Sequence, residues 1–135
     1  GESLRDGITL DTIKDGLTYN DGILKVTSVP TQHTSDSHAF LVEAEGKKVL
    51  FTGDLAHPND DFPAIAYENE LECIIGEGAH FNIDDYLPHL EKCNYKSFYL
   101  NHYPAFYNMD KIHMVKKAIE PIPFRLATDG LTVEF

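Results

Sequence analysis

Cysteine is scarce: only Cys73 and Cys93 occur, far apart and with no Cys-x-x-Cys pair. That excludes a disulfide framework and an all-thiolate zinc site. Both sit among apolar neighbours, in LECII and LEKC, the setting of a reduced core cysteine and hence of a reducing compartment. No apolar run approaches the roughly 20 residues that span a bilayer, and no signal-peptide pattern opens the chain. A cytoplasmic protein with no membrane partner is therefore expected. Basic residues are also few, 11 against 22 acidic ones, for a net charge of −11. Such a surface repels phosphate backbones, so direct nucleic-acid binding by this chain is not expected. The carboxylates are scattered, with no block of five, and read as a solvated face. There is no low-complexity stretch, linker or internal repeat. The 135 residues, 42% of them hydrophobic with eight Phe and seven Tyr, are expected to form one continuous domain.

Hydrophobic periodicity divides the chain into a strand-rich beginning and an alternating remainder. Ile8–Leu10 and 17–19 read as strands around a turn at 14–16. Asn20-Asp21-Gly22 is a hairpin signal, because Asp and Gly tolerate the positive φ of a tight turn. Strands follow at 23–29, 38–43 and 48–52, with a polar loop over 31–37. The pattern then predicts a short helix at 62–69, a buried strand at 71–75 and a helix over 82–93 that holds Pro88 in its first turn or is kinked by it. A strand at 97–100 and a helix at 110–120 come next, the latter stopped by Pro121. A closing hairpin spans 124–135. This is an α/β layered domain.

Seven histidines invite a metal reading, and position sorts them. His33 opens a loop just after a strand, Asp54 ends the run VLFTGD and His102 ends FYLNH. All three stand where strand gives way to loop, the place where open α/β sheets collect ligands. Imidazole and carboxylate together suit Zn²⁺, Fe or Mn²⁺ better than Ca²⁺ or Mg²⁺. His80, in EGAHF, lies in another strand-end loop. It is a candidate catalytic group that contacts a substrate phosphate or donates a proton, with a helix cap as the structural alternative. His57 carries no assigned role, and His89 and His113 fall in helical stretches and read as surface residues.

The segment from Val26 to Asp54, VTSVPTQHTSDSHAFLVEAEGKKVLFTGD, resembles the third and fourth motifs of the metallo-β-lactamase superfamily, in which a loop histidine precedes a strand hairpin ending in Gly-Asp. CIIGEGAHF, a helix and SFYLNHYP resemble the next stretch of these enzymes, through the fifth motif. The resemblance implies that His33 is a ligand of a first metal, with His38 as its competitor. It implies that Asp54 bridges two metals and that His102 binds the second. It further implies two divalent ions, with zinc favoured over Mn or Fe, and a metal-activated hydroxide attacking an ester. The carboxylate bridge is similar to that of the phosphodiesterase, nuclease and thioesterase branches, so a phosphodiester or small phosphate ester is the expected substrate.

The chain departs from the family in lacking the H-x-H-x-D-H motif, and no histidine precedes His33. Shared between two metals, His33, Asp54 and His102 give each ion one histidine and a bridging carboxylate, fewer than the three or four ligands of ordinary zinc sites, so weak metal binding by the isolated chain is expected. The implied fold is the C-terminal half of an αββα sandwich, a mixed sheet with helices on one face. Its inner face would be an apolar patch larger than monomers normally expose, to be covered by an N-terminal half or a second copy. The chain is then either the C-terminal region of a longer hydrolase, inactive by itself, or one piece of an assembly. A non-catalytic interaction module that pairs through the open sheet face is the competing expectation.

Overall fold

A computed structural model of the chain describes residues 2–5, 7–10, 16, 18–103 and 124–135. Its frame is the alternation of apolar side chains that begins at β4 and runs through the later strands. Strands β1 (Glu2–Arg5) and β2 (Ile8–Leu10) form a two-stranded antiparallel ribbon. The other seven build one mixed sheet in strict chain order: β3 (Thr18–Asn20), β4 (Leu24–Pro30), β5 (His38–Ala44), β6 (Lys47–Phe51), β7 (Glu70–Glu77), β8 (Asn94–Asn101) and β9 (Phe124–Leu126). β3 to β6 pair antiparallel, whereas β6 to β9 pair parallel. The change from antiparallel to parallel pairing at β6 follows from the connections. Two-residue turns such as Glu45-Gly46 can only return the chain antiparallel, while parallel neighbours need a longer crossover.

Register places Leu41, Leu50, Ile74 and Phe98 side by side across four strands. With Ala39 and Leu100 they form a face no more than 3% exposed. Short helical segments cover this face: α1 (Pro58–Asp61), a 3-10 turn at Ala64–Glu68, a second at Ile83–Tyr86 and α2 (Leu87–Leu90). They supply Phe62, Ala66, Ile83, Tyr86 and Leu90 to the core. Gly76 on β7 lets Tyr86 and Phe98 close in, since a Cβ there would lie 2.8 Å from Phe98 Cζ and 2.9 Å from Tyr86 Oη. The mixed sheet with helices on one face is thus as expected.

Among the described residues, no helical segment covers the opposite face. Val42, Val49, Phe51, Ile75 and Tyr99 line a shallow apolar depression of about 360 Å³, overlaid among the described residues by the segment carrying Leu131, Val133 and Phe135. Phe51 is 39% exposed, and Leu131, Val133 and Phe135 are 37–49% exposed.

Three expectations need correction. The chain after β9 does not return as a hairpin: 131–135 adopts no strand and reaches back instead to β6, where Lys47 Nζ donates to the Phe135 carbonyl. The helix expected at 62–69 is a 3-10 turn over Ala64–Glu68, and a separate turn, α1, precedes it, because Pro58 suits a first helical turn and His57 caps it, Nδ1 accepting from Asn59 N–H at 3.1 Å. His89 is not a surface residue. It is 9% exposed, stacked on Phe62 at 5.2 Å, and bonded through Nδ1 to Tyr67 Oη (2.7 Å) and through Nε2 to Asn59 Oδ1 (3.0 Å). Over 82–93, a 3-10 turn leads into one α-turn with Pro88 in its first turn. The helix expected at 110–120 and His113 lie outside the described residues. Cys73 is buried and Cys93 half-buried, both free, and burial raises both thiols, Cys93 to about 11.

Candidate metal centre

β4, β6, β7 and β8 all run the same way, so the four segments leaving their carboxyl ends meet at one end of the sheet. These segments carry His33, Asp54, His80 and His102. The β4 loop folds back on itself through Thr31 N–H to Ser37 O (2.9 Å) and the Thr34–Ser37 hydroxyl pair (2.7 Å). Beyond β6 the chain turns at Gly53, with φ of +60° and a notional Cβ 2.6 Å from His38 O. Only glycine fits there without displacing backbone, and this close approach sets the direction in which Asp54 leaves the sheet.

Two buried carboxylates tie these loops together. Asp61, 8% exposed, accepts Gln32 N–H (2.7 Å) through one oxygen and Ala56 N–H (2.8 Å) through the other. It thereby joins the His33 loop to the Asp54 loop, and Thr31 Oγ1 adds a bond to Asp54 O at 3.1 Å. Glu77, 1% exposed, accepts Leu55 N–H (3.0 Å) and His80 Nδ1 (2.7 Å) on Oε1, and Ala79 and His80 N–H (2.7 and 3.1 Å) on Oε2. Tyr86 Oη donates to the Glu77 carbonyl at 2.7 Å, and burial drives that phenol far above its ordinary range. Buried acceptors with this many donors fix loop geometry more tightly than surface turns do.

The result is a convergence of donors. Asp54 offers Oδ1 to His102 Nδ1 at 2.8 Å and Oδ2 to His33 Nε2 at 3.8 Å. The His80 ring lies 4.2 Å from that of His33 and 5.4 Å from that of His102. Ligand atoms of His33, Asp54 and His80 fall within 4.8 Å of one another, as do those of Glu77, His80 and His102. His102 has φ of +45°, a left-handed backbone that non-glycine residues adopt at a cost and that clusters at functional sites. The chemistry of the set, imidazole nitrogens and a carboxylate, fits a first-row divalent cation.

The structure brings together His33, Asp54, His80 and His102. Neither His38 nor His57 falls in these two groups of ligand atoms among the described residues. His38 Nδ1 bonds to the Asp36 carbonyl at 3.0 Å, and its ring lies 6.4 Å from Phe40. His57 pairs with Asp85 at 3.2 Å. His80 does not cap the following 3-10 turn, whose cap position is Asn82. Glu77 and Asp61 were not singled out from sequence. An acidic residue closing the apolar run LECIIGE was a readable signal for Glu77, whereas nothing local distinguishes Asp61 from its neighbour Asp60.

Solved structures share this arrangement of strands. The protein YhfI from Bacillus subtilis, described as a metallo-β-lactamase fold protein, superposes with a TM-score of 0.71 at 14% identity, over 90% of this chain and 54% of its own. The chain has the metallo-β-lactamase fold. Zn²⁺-bound PqqB from Methylobacterium extorquens matches at a TM-score of 0.61 and 14% identity, over 93% of this chain and 55% of its own. The short form of human tRNase Z matches at 0.61 and 16%, over 86% and 45%. The chain spans about half the length of these metallo-β-lactamase fold proteins. No family model and no curated protein matches the sequence. Among the described residues, no helix is long and apolar enough to cross a membrane.

Proposed function

We propose that this chain supplies His33, Asp54 and His102 to the two-metal centre of a metal-dependent hydrolase that cleaves a phosphate ester, with zinc as the favoured ion. One observation carries the reading: Asp54 turns its two oxygens to two different histidines, Oδ1 to His102 and Oδ2 to His33. A carboxylate so placed can serve two cations at once, and the histidine on each side belongs to one of them. Paired cations in such a centre lower the pKa of a shared water and polarise the scissile bond. The chain's own part is to hold Asp54 and both histidines in register through Gly53, Asp61 and Glu77. The remaining ligands come from an H-x-H-x-D-H half, either elsewhere in the protein or on a second chain, packed on the apolar sheet face. Support for the substrate class comes from the carboxylate at the bridging position and from the likeness of fold to tRNase Z.

Metal analysis and a phosphodiesterase assay with bis(p-nitrophenyl) phosphate on the complete protein test this reading. Asp54→Asn should lower bound metal and reduce turnover by at least about a hundredfold, the upper end of what disturbing a metal's surroundings costs. Unchanged activity in that variant overturns the bridging role.

A second reading, a non-catalytic module that pairs through the sheet face, is favoured by the open apolar row Val42, Val49, Phe51 and Ile75. Size-exclusion chromatography with zinc titration separates the two. A stable dimer indifferent to zinc supports the module.

A further inference from the structure

His80 has no place in the three-ligand reading, and Glu77 is a buried acid with no stated purpose. The two explain each other. Four hydrogen bonds end on the Glu77 oxygens, from the N–H groups of Leu55, Ala79 and His80 and from His80 Nδ1. A carboxylate has about four lone-pair positions, so Glu77 has no acceptor left for a cation and is not a ligand despite its closeness to His80 and His102. Because an ionised carboxylate only accepts, Nδ1 of His80 carries the proton in its bond to Glu77 Oε1, and Nε2 is left as the ring's acceptor. That is the tautomer a cation takes, and metal-bound histidines characteristically donate the other ring N–H to a carboxylate. The ring so held lies with its centroid 4.2 Å from that of His33, and one of its ring nitrogens lies within 4.8 Å of ligand atoms of His33 and Asp54.

We propose that His80 is a metal ligand oriented by Glu77, and that His33, Asp54 and His80 hold one divalent cation on this chain without help from another half. The proposal rests on the metal-centre reading and revises the weak binding expected from sequence, which counted only His33, Asp54 and His102. Three protein ligands with an open position are the ordinary complement of a catalytic zinc site.

Cobalt(II) titration of the 135-residue chain, followed by visible absorption and calorimetry, tests it. One equivalent of cobalt should bind. His80→Ala, at a part-exposed position where folding is not at stake, should weaken binding by more than the tenfold to hundredfold typical of losing a supporting group. Glu77→Gln should weaken it by about 10–100-fold, its fold checked by circular dichroism. His80→Cys should restore binding and add a near-ultraviolet thiolate-to-cobalt band, a signature only direct coordination produces. A parent chain that takes up no cobalt, an unchanged affinity in His80→Ala, or a His80→Cys variant without the band overturns the proposal. Asp54→Asn and His33→Ala separate it from the underlying reading. If they abolish binding while His80→Ala does not, only this inference fails; if neither they nor His80→Ala alters binding, the metal centre itself fails.

Discussion

Gly53 bears the sharpest steric demand beside the site. Its φ of +60° and the 2.6 Å from a notional Cβ to His38 O mean that Gly53→Ala combines backbone strain with a backbone clash. Urea unfolding should show a loss of about 1–3 kcal/mol, and cobalt affinity should fall with it, because Asp54 leaves the sheet through this residue. Tyr95 presents the opposite case. Its hydroxyl is buried and, among the described side chains, has no hydrogen-bond partner, and burial raises it to about 12. Tyr95→Phe should leave stability unchanged or raise it by about 1 kcal/mol; a clear loss in urea melts would show that the hydroxyl is bonded. At this scale the sequence was legible where chemistry coincides with a strand end. His33, Asp54, His80 and His102 all met that condition, and the fold brings them together. Asp61 and Glu77 were not legible, because their role lies in backbone N–H groups from other loops, which no local pattern encodes.

Among the elements, the segment from α1 to α2 is organised around His89. Asn59 Oδ1 accepts from its Nε2, and its Nδ1 shares a hydrogen bond with the Tyr67 hydroxyl. Burial first, then Lys92 and His57, holds its pKa below the ordinary 6.5. The sign comes from linkage. As pH falls through about 6.5 the unfolded chain takes up this proton before the folded one, so stability present above that pH is lost toward the lower folded value. Urea midpoints at pH 7.5 and 5.0 should therefore drop further for the parent than for His89→Gln, and equal drops would sink the assignment. The sequence placed His89 on a helix surface because a helical stretch was read without its neighbours; Phe62 and Tyr67, more than twenty residues away, bury it. Strands fared better, since alternation and apolar runs survive in any context. Their ends moved outward by up to three residues, as at β8, where pairing with β7 carries polar residues into the ladder. The closing hairpin failed because β9 found a parallel partner in β8.

For the molecule as a whole, the decisive property is a sheet that the helical segments among the described residues cover on one side. The row Val42, Val49, Phe51, Ile75 and Tyr99 is larger and flatter than scattered surface apolar residues, and such faces mark interfaces. Sedimentation velocity over a concentration series should show self-association of the chain, and Phe51→Lys should shift it toward monomer. A parent that stays monomeric at all concentrations would mean that the segment carrying Leu131, Val133 and Phe135 suffices as cover. The open face was foreseeable from the missing motif, whereas its partial cover was not, because 131–135 alternates like a strand and lies down without pairing.

The change from antiparallel to parallel pairing at β6 also bears on the order of events in time. The β4–β5–β6 meander is made of contacts close in sequence, whereas β7 and β8 must each wait for a crossover to close, and local pairings form first. His33 lies in the β4–β5 loop of that meander and Asp54 just past its end, so local pairing alone is expected to bring them near each other before the core is sealed. His80 and His102 are delivered afterwards, by the parallel strands. A cation present during folding would therefore meet a two-residue foothold first and be enclosed as the later strands dock.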